Sequence, residues 1–246
     1  MRVYNLVYSP TGGTEKVMNI LGREFGVTDT IDLCAAVEEM QLHPDDLVLI
    51  GLPSFGGRIP AGSGDRIRAI RGNGARAVLV AVYGNRAIDD TLIEMKDLAE
   101  ECGYRVVGAI SAVADHSIMR HVAQGRPDAQ DEAELRSFAR QILARLDSCE
   151  EVQVPGKQPY KNFGGAGMFP EVEGCVSCGL CAEKCPVGAI PADAPGTTDK
   201  DKCICCMRCI EICPVHARRR NPIALNNTIQ KLVKIVTGRK PNDLFL

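Results

Sequence analysis

A mixed α/β domain with a five-stranded parallel sheet, covered by helices on both faces and followed by a small cysteine-rich α+β domain, is the fold the sequence predicts. Three observations carry it. Short apolar runs alternate with segments of helical period over the first 150 residues, the rhythm of strand–helix–strand units. The apolar runs are continuous, as in strands buried on both faces. Beyond them, nine of the twelve cysteines fall between Cys175 and Cys213.

In chain order, the predicted strands are Val3–Tyr8, Val27–Leu33, Leu47–Leu52, Ala77–Tyr83 and Val106–Ala112, each rich in Val, Ile and Leu. The predicted helices are Thr14–Phe25, Gly64–Ile70, Ile88–Cys102 and Ala129–Ser148, where apolar residues recur at three- and four-residue spacing. Residues 1–150 form this first domain. Residues 151–172 hold three prolines and a Gly-Gly pair without any period, so they read as a linker. Residues 173–218 form the cysteine-rich domain. Residues 219–246 are a basic tail with one short amphipathic helix at about Thr228–Val236, expected to pack back on the body rather than to bind a partner.

Composition bounds the function. A hydrophobic content of 45% with 24% charged residues is that of an ordinary soluble globular protein. No apolar run is long enough to span a membrane. The stretch MRVYNLVYSP does not read as a secretory signal, so a cytoplasmic location is expected. The net charge of −2 is unevenly spread, acidic before residue 150 and basic after Ala217. No aromatic residues are interleaved with the basic ones, which speaks against nucleic acid. The sequence leaves the oligomeric state open.

The cysteines form a repeat. GCVSCGLCAEKCPVGA and KCICCMRCIEICPVHA superimpose at an offset of 28, pairing Cys175, Cys178, Cys181 and Cys185 with Cys203, Cys206, Cys209 and Cys213. Each half reads C-x₂-C-x₂-C-x₃-C-P, the run of bacterial ferredoxins with two [4Fe–4S] clusters, in which the fourth cysteine serves the other cluster. The expected ligands are therefore Cys175, Cys178, Cys181 and Cys213 for one cluster, and Cys203, Cys206, Cys209 and Cys185 for the other. Four-thiolate zinc is the alternative, but zinc modules space their cysteines as separate CxxC pairs. Cys205 falls outside the ligand spacing and reads as a non-ligand thiol near a cluster sulfur, with a ligand swap as the alternative. Cys34, Cys102 and Cys149 read as small apolar fillers.

A second motif follows the first strand. In YSPTGGTE, Ser9, Thr11 and Thr14 offer hydroxyls, and Gly12 and Gly13 let backbone approach an anion at a helix N-terminus. Neither GxxxxGK[ST] nor GxGxxG is present there, so a nucleoside triphosphate and a dinucleotide are disfavoured. A plain serine or threonine helix cap remains the structural alternative.

The S-x-T-G-x-T run resembles the phosphate loop of flavodoxins, which implies FMN. The same resemblance implies that two later loops embrace the isoalloxazine ring: GLPSFGGRIPAG, with Pro53, Ser54, Phe55, Gly56 and Gly57, and VYGNRAIDDTL, with Tyr83, Gly84, Asn85 and Arg86. Phe55 and Tyr83 would flank the ring, Gly56 or Gly57 would turn an amide toward it, and Asn85 and Arg86 would bond its carbonyl edge. A flavodoxin-like doubly wound domain followed by a two-cluster ferredoxin domain resembles the EFR-type flavodoxin–ferredoxin fusion proteins. That resemblance implies an electron-transfer protein that relays electrons between FMN, two [4Fe–4S] clusters and a redox partner protein, in an anaerobic setting. The alternative is an FMN-dependent reductase of a small substrate, with His116 or Arg120 as proton donor or anchor. The basic tail is expected first to neutralise the chain's own acidic domain and clusters, and second to dock an acidic partner.

Overall fold

A computed structural model describes all 246 residues. In chain order the elements are β1 (Val3–Val7), α1 (Gly13–Phe25), β2 (Asp29–Asp32), β3 (Met40–Gln41), β4 (Leu47–Pro53), α2 (Ser63–Arg68), β5 (Ile70–Arg71), β6 (Arg76–Tyr83), α3 (Thr91–Glu101), β7 (Arg105–Val113) and α4 (Ala129–Leu143). The second part adds β8 (Glu171–Val172), α5 (Leu180–Glu183), α6 (Arg208–Glu211), β9 (Arg218–Arg219), α7 (Pro222–Val236) and β10 (Asp243–Phe245).

The main sheet runs β2-β1-β4-β6-β7-β10. Its first five strands are mutually parallel, and their order is the flavodoxin-like doubly wound one. Alternate residues of each strand feed opposite cores. Val3 and Val7 of β1, Leu47 and Leu49 of β4, and Val78, Val80 and Val82 of β6 pack under α1 and α4. Tyr4, Leu6, Val48, Ile50, Leu52 and Leu79 pack with α2 and α3 on the other face. Burial on both faces explains why these strands read as unbroken apolar runs.

The sheet has six strands instead of the five expected. The sixth, β10, comes from the far C-terminus and pairs antiparallel with β7. Residues 219–246 therefore do not form a separate tail. Asn221 caps α7 by accepting from Ala224 N–H at 2.6 Å, with Pro222 in the first turn, an arrangement favoured at helix starts. Leu225, Ile229 and Leu232 of α7 pack on Met119 and Val122 from the loop after β7. Arg239 then pairs with Asp128 and Asp131 at 2.6 and 2.9 Å. Asn242 accepts from Val113 N–H at 2.9 Å. Part of the basic end thus neutralises the acidic domain.

Of the expected linker, residues 151–161 are laid along α3 rather than left slack. Val152 is buried in the core on the α2–α3 side. The Asp90 carboxylate accepts from the backbone N–H groups of Lys157 and Lys161, and Arg58 stacks 4.8 Å from the Tyr160 ring centroid. The cysteine-rich domain is closed by the short β8–β9 pair.

Candidate functional site

The strand order reverses between β1 and β4, so the loops leaving their C-terminal ends diverge and open a crevice. The crevice after β1 is a cavity of about 70 Å³ lined by Ser9, Thr11, Gly13 and Thr14, with Pro53, Ser54, Phe55, Tyr83, Gly84 and His116 across it. Gly12, at φ +84°, turns the chain into α1, a conformation that a residue with Cβ adopts at a cost. The Ser9 hydroxyl accepts from Glu15 N–H at 2.9 Å, so it also serves the helix start.

A larger cleft of about 360 Å³ adjoins this cavity and shares Ser54, Phe55, Tyr83, Gly84, His116 and Ser117 with it. Gly56, Arg86, Lys161, Phe163, Ile204, Cys205, Thr228, Lys231 and Leu232 are also in its lining. Three separate parts of the chain therefore meet over the strand ends: the linker, the second cysteine loop and α7. Glycine is required at Gly84, because an added Cβ would lie 2.8 Å from His116 Cα. At Gly56 the Phe163 ring occupies the space a side chain would take.

The expected residues do not all converge. Ser9, Thr11, Gly13, Thr14, Pro53, Ser54, Phe55, Gly56, Tyr83, Gly84 and Arg86 line the two connected cavities. Gly12 and Gly57 do not; Gly12 serves the turn into α1, while Gly57 packs against the Asp89 side chain and its carbonyl accepts from Asp90 N–H at 3.0 Å. Asn85 does not either. Its amide donates to Val236 O at 2.7 Å and Gly238 O at 2.8 Å, and its carbonyl accepts from Lys240 N–H at 3.3 Å. The reason lies in the C-terminal return, which brings three backbone groups to a side chain read as a ring contact. Tyr83 lines both cavities, but its hydroxyl donates to Pro241 O at 3.2 Å.

His116 belongs to both cavities. Burial lowers its pKa to about 4, and the nearby charges of His121 and Arg86 add to the effect. Its Nδ1 accepts from the Ile118 and Met119 N–H groups at 3.1 and 3.2 Å, so the ring proton of the neutral form sits on Nε2. At neutral pH His116 can donate one hydrogen bond but carries no acidic proton to spare. Because its folded pKa lies below 6.5, the neutral ring favours the folded state above pH 6.5, and that contribution is lost as pH falls through 4. Stability is expected to drop by about 2 kcal/mol between pH 7 and pH 5 from this residue alone. Urea unfolding of the parent and of His116→Gln over that range checks it: the parent's slope should flatten in the variant.

In the cysteine-rich domain the second motif repeats the backbone of the first. Ser177 and Cys205, Gly179 and Met207, and Gly188 and His216 are each 28 residues apart, and all six have positive φ. Ala189 N–H donates to Cys185 Sγ at 3.3 Å, and Ala217 N–H donates to Cys213 Sγ at 3.3 Å. At Cys213 burial would raise the thiol pKa, but the backbone N–H donors outweigh it and the net shift is downward. Cys185 of the first motif joins Cys203, Cys206 and Cys209 of the second around one small cavity. Burial pushes Cys206 up to about 12 and Cys209 up to about 11, so without a cation both are protonated thiols at neutral pH. Cys203 is held low, first by a hydrogen bond from the Cys205 thiol and then by backbone and Arg218 charge.

Arg218 is buried within this domain. Its guanidinium donates to Thr198 Oγ1, Pro195 O and Thr197 O at 2.6–2.9 Å. Replacing it by methionine leaves these acceptors unpaired and removes a positive charge from beside Cys203, Cys209 and Cys213. A loss of about 3 kcal/mol is expected, with urea unfolding as the measurement.

The sequence model of the 4Fe-4S binding domain matches residues 171–190. No curated protein matches the chain. Among solved structures, a flavodoxin from Streptococcus pneumoniae is 14% identical, aligned over 58% of this chain and 99% of its own, with a TM-score of 0.43. The flavodoxin of Megasphaera elsdenii is 18% identical over 56% and 98%, with a TM-score of 0.39. An FMN-dependent NADH-azoreductase from Bacillus anthracis is 13% identical over 58% and 99%, with a TM-score of 0.40. The assignment of the fold rests on the strand order itself. A flavodoxin-like domain followed by a 4Fe–4S binding domain is the arrangement of a flavodoxin–ferredoxin fusion. No helix is long and apolar enough to cross a membrane.

Proposed function

We propose that the chain is an electron-transfer protein that relays electrons between FMN and two [4Fe–4S] clusters, and to or from a redox partner protein. The observation that carries the reading is a shared wall. Ile204 and Cys205 line both the larger cleft at the strand ends and the small cavity formed by Cys185, Cys203, Cys206 and Cys209. When bound, the clusters would supply one-electron transfer, and FMN transfer of one or two electrons.

The residues suit these groups. Thr11, Gly13 and Thr14 at the start of α1 offer hydroxyls and amides to a phosphate, with the helix dipole behind them. Phe55, Tyr83 and Gly84 line the adjoining cleft where a ring would lie, and Arg86 and Lys231 place positive charge beside it. The second cluster is supported by the left-handed positions and N–H···S bonds repeated at an offset of 28.

The first cysteine loop is the open one. Cys175 and Cys178 are exposed, and so is Val176 between them. A redox partner would dock on this exposed loop, with Ile204 and Cys205 of the second motif turned toward the flavodoxin-like domain. Iron, sulfide and flavin analysis of anaerobically isolated protein tests the proposal, with about eight irons and one FMN per chain expected. Protein without flavin, or with zinc in place of iron, would sink it. Turnover of a small acceptor with a nicotinamide alone would favour a reductase instead.

A further inference from the structure

Tyr8, the last residue of the predicted first strand, ends in an unusual environment. Its side chain is 1% exposed, and its hydroxyl has no hydrogen-bond partner. Such groups almost always find an acceptor, because a buried donor without one is costly. The tyrosine lies in the core on the α2–α3 side, and Ile204 of the second cysteine loop packs against that same core. Arg66 of α2 fastens the two domains beside it, donating to Leu33 O at 3.3 Å and to Pro186 O, next to Cys185, at 2.9 Å. After burial, the groups whose charge acts on the hydroxyl are Cys206, Cys34, Arg66 and Cys185.

We infer that the Tyr8 hydroxyl donates a hydrogen bond from the flavodoxin-like domain to sulfur of the second cluster, at its Cys206–Cys185 side. The inference rests on the two-cluster reading above. Thiolate sulfur bound to iron is an anionic acceptor of the kind this donor lacks, and Cys34 is the only other sulfur among the groups acting on it. Burial raises the Cys34 thiol to about 12, so it stays neutral and accepts weakly. A donor to cluster sulfur stabilises the reduced, more negative cluster and raises its reduction potential. Tyr8 would therefore set the second cluster apart from the first, whose exposed loop meets water. It also makes the flavodoxin-like domain part of that cluster's environment.

The test uses the full chain with its clusters, followed by an EPR-monitored redox titration. In the parent, two cluster steps are expected. Tyr8→Phe removes one oxygen atom and keeps the packing. It should lower one step, so that the reduced-to-oxidised ratio at a fixed applied potential falls about tenfold, as for loss of one charge-assisted bond. The other step, the iron content and the flavin content should not change. Site-specific 3-fluorotyrosine at position 8 is a stronger donor and should move the same step upward. These opposite signs are not expected of a merely structural role, and the fluorinated protein decides the matter if Tyr8→Phe fails to assemble. Two steps unmoved by either replacement, or moved equally, overturn the inference and leave the two-cluster reading standing. A parent with about four irons and one step overturns both.

Discussion

Alanine at Cys206 is expected to remove about four of about eight irons, and alanine at Cys185 is expected to remove the same four. The two residues lie in different motifs, yet both border one cavity with Cys203 and Cys209. If each motif instead bound its own cluster, Cys185→Ala would reproduce Cys178→Ala. EPR spectra of the three variants separate the arrangements, because the surviving cluster is the same for Cys206 and Cys185 only when ligation crosses over. The effect on stability should also be large. In this domain Cys205 and Met207 cluster with Met168 of the linker. Prolines and Cys206 apart, the only other buried apolar side chains are those of Ala189, Ile190 and Ala217, too little for a domain of this size to fold on alone. Ligation supplies the folding free energy in such modules, on the order of 10 kcal/mol for a structural thiolate site. Limited proteolysis should cut residues 173–218 of either variant while residues 1–143 resist.

The strands of the flavodoxin-like domain were legible because burial on both faces leaves a strong and local trace. Each predicted strand overlaps an observed one. The helices were legible from period, though Ser63–Arg68 and Thr91–Glu101 are shorter than their apolar patterns suggested. What sequence reading missed was the return of the C-terminus. DLF is a short segment with one charged residue, and nothing in three residues says that it will pair with Ala109–Ser111 of β7, far back along the chain. Its pairing is a tertiary fact, secured by Arg239, Asn242 and the carboxylates of Asp128 and Asp131.

The candidate site divides in the same way. Motif residues that follow a strand directly, such as Thr11, Gly13, Ser54 and Tyr83, line the cavities because parallel strands deliver their loops to one edge. The remaining wall is nonlocal. Phe163, Ile204 and Lys231 come from the linker, the second cysteine loop and α7, and none carries a signal that points to the strand ends. Cys205 is the ninth cysteine and falls outside the ligand spacing. Its place follows from the repeat: it stands where Ser177 stands in the first motif, at the same left-handed conformation, and its thiol reaches Cys203.

Replacing Asn85 with alanine should destabilise the protein even without any cofactor, and that separates two roles for this residue. As a ring contact alone, Asn85 would matter only to flavin affinity, and the apoprotein would unfold as before. In the structure it is 3% exposed, it bonds three backbone groups between Val236 and Lys240, and it holds φ at +60°. Alanine forfeits those bonds and tolerates that φ less well, for an expected loss of about 4 kcal/mol. The C-terminal segment can relieve part of the cost by peeling into water, which predicts where the loss appears. Amide exchange should accelerate through α7 and β10 and stay slow in β1, β4 and β6. Flavin retention should weaken as well, because Thr228, Lys231 and Leu232 of α7 line the ring cleft. Unchanged apoprotein stability with weaker flavin binding would return Asn85 to the ring-contact role that its loop position suggests.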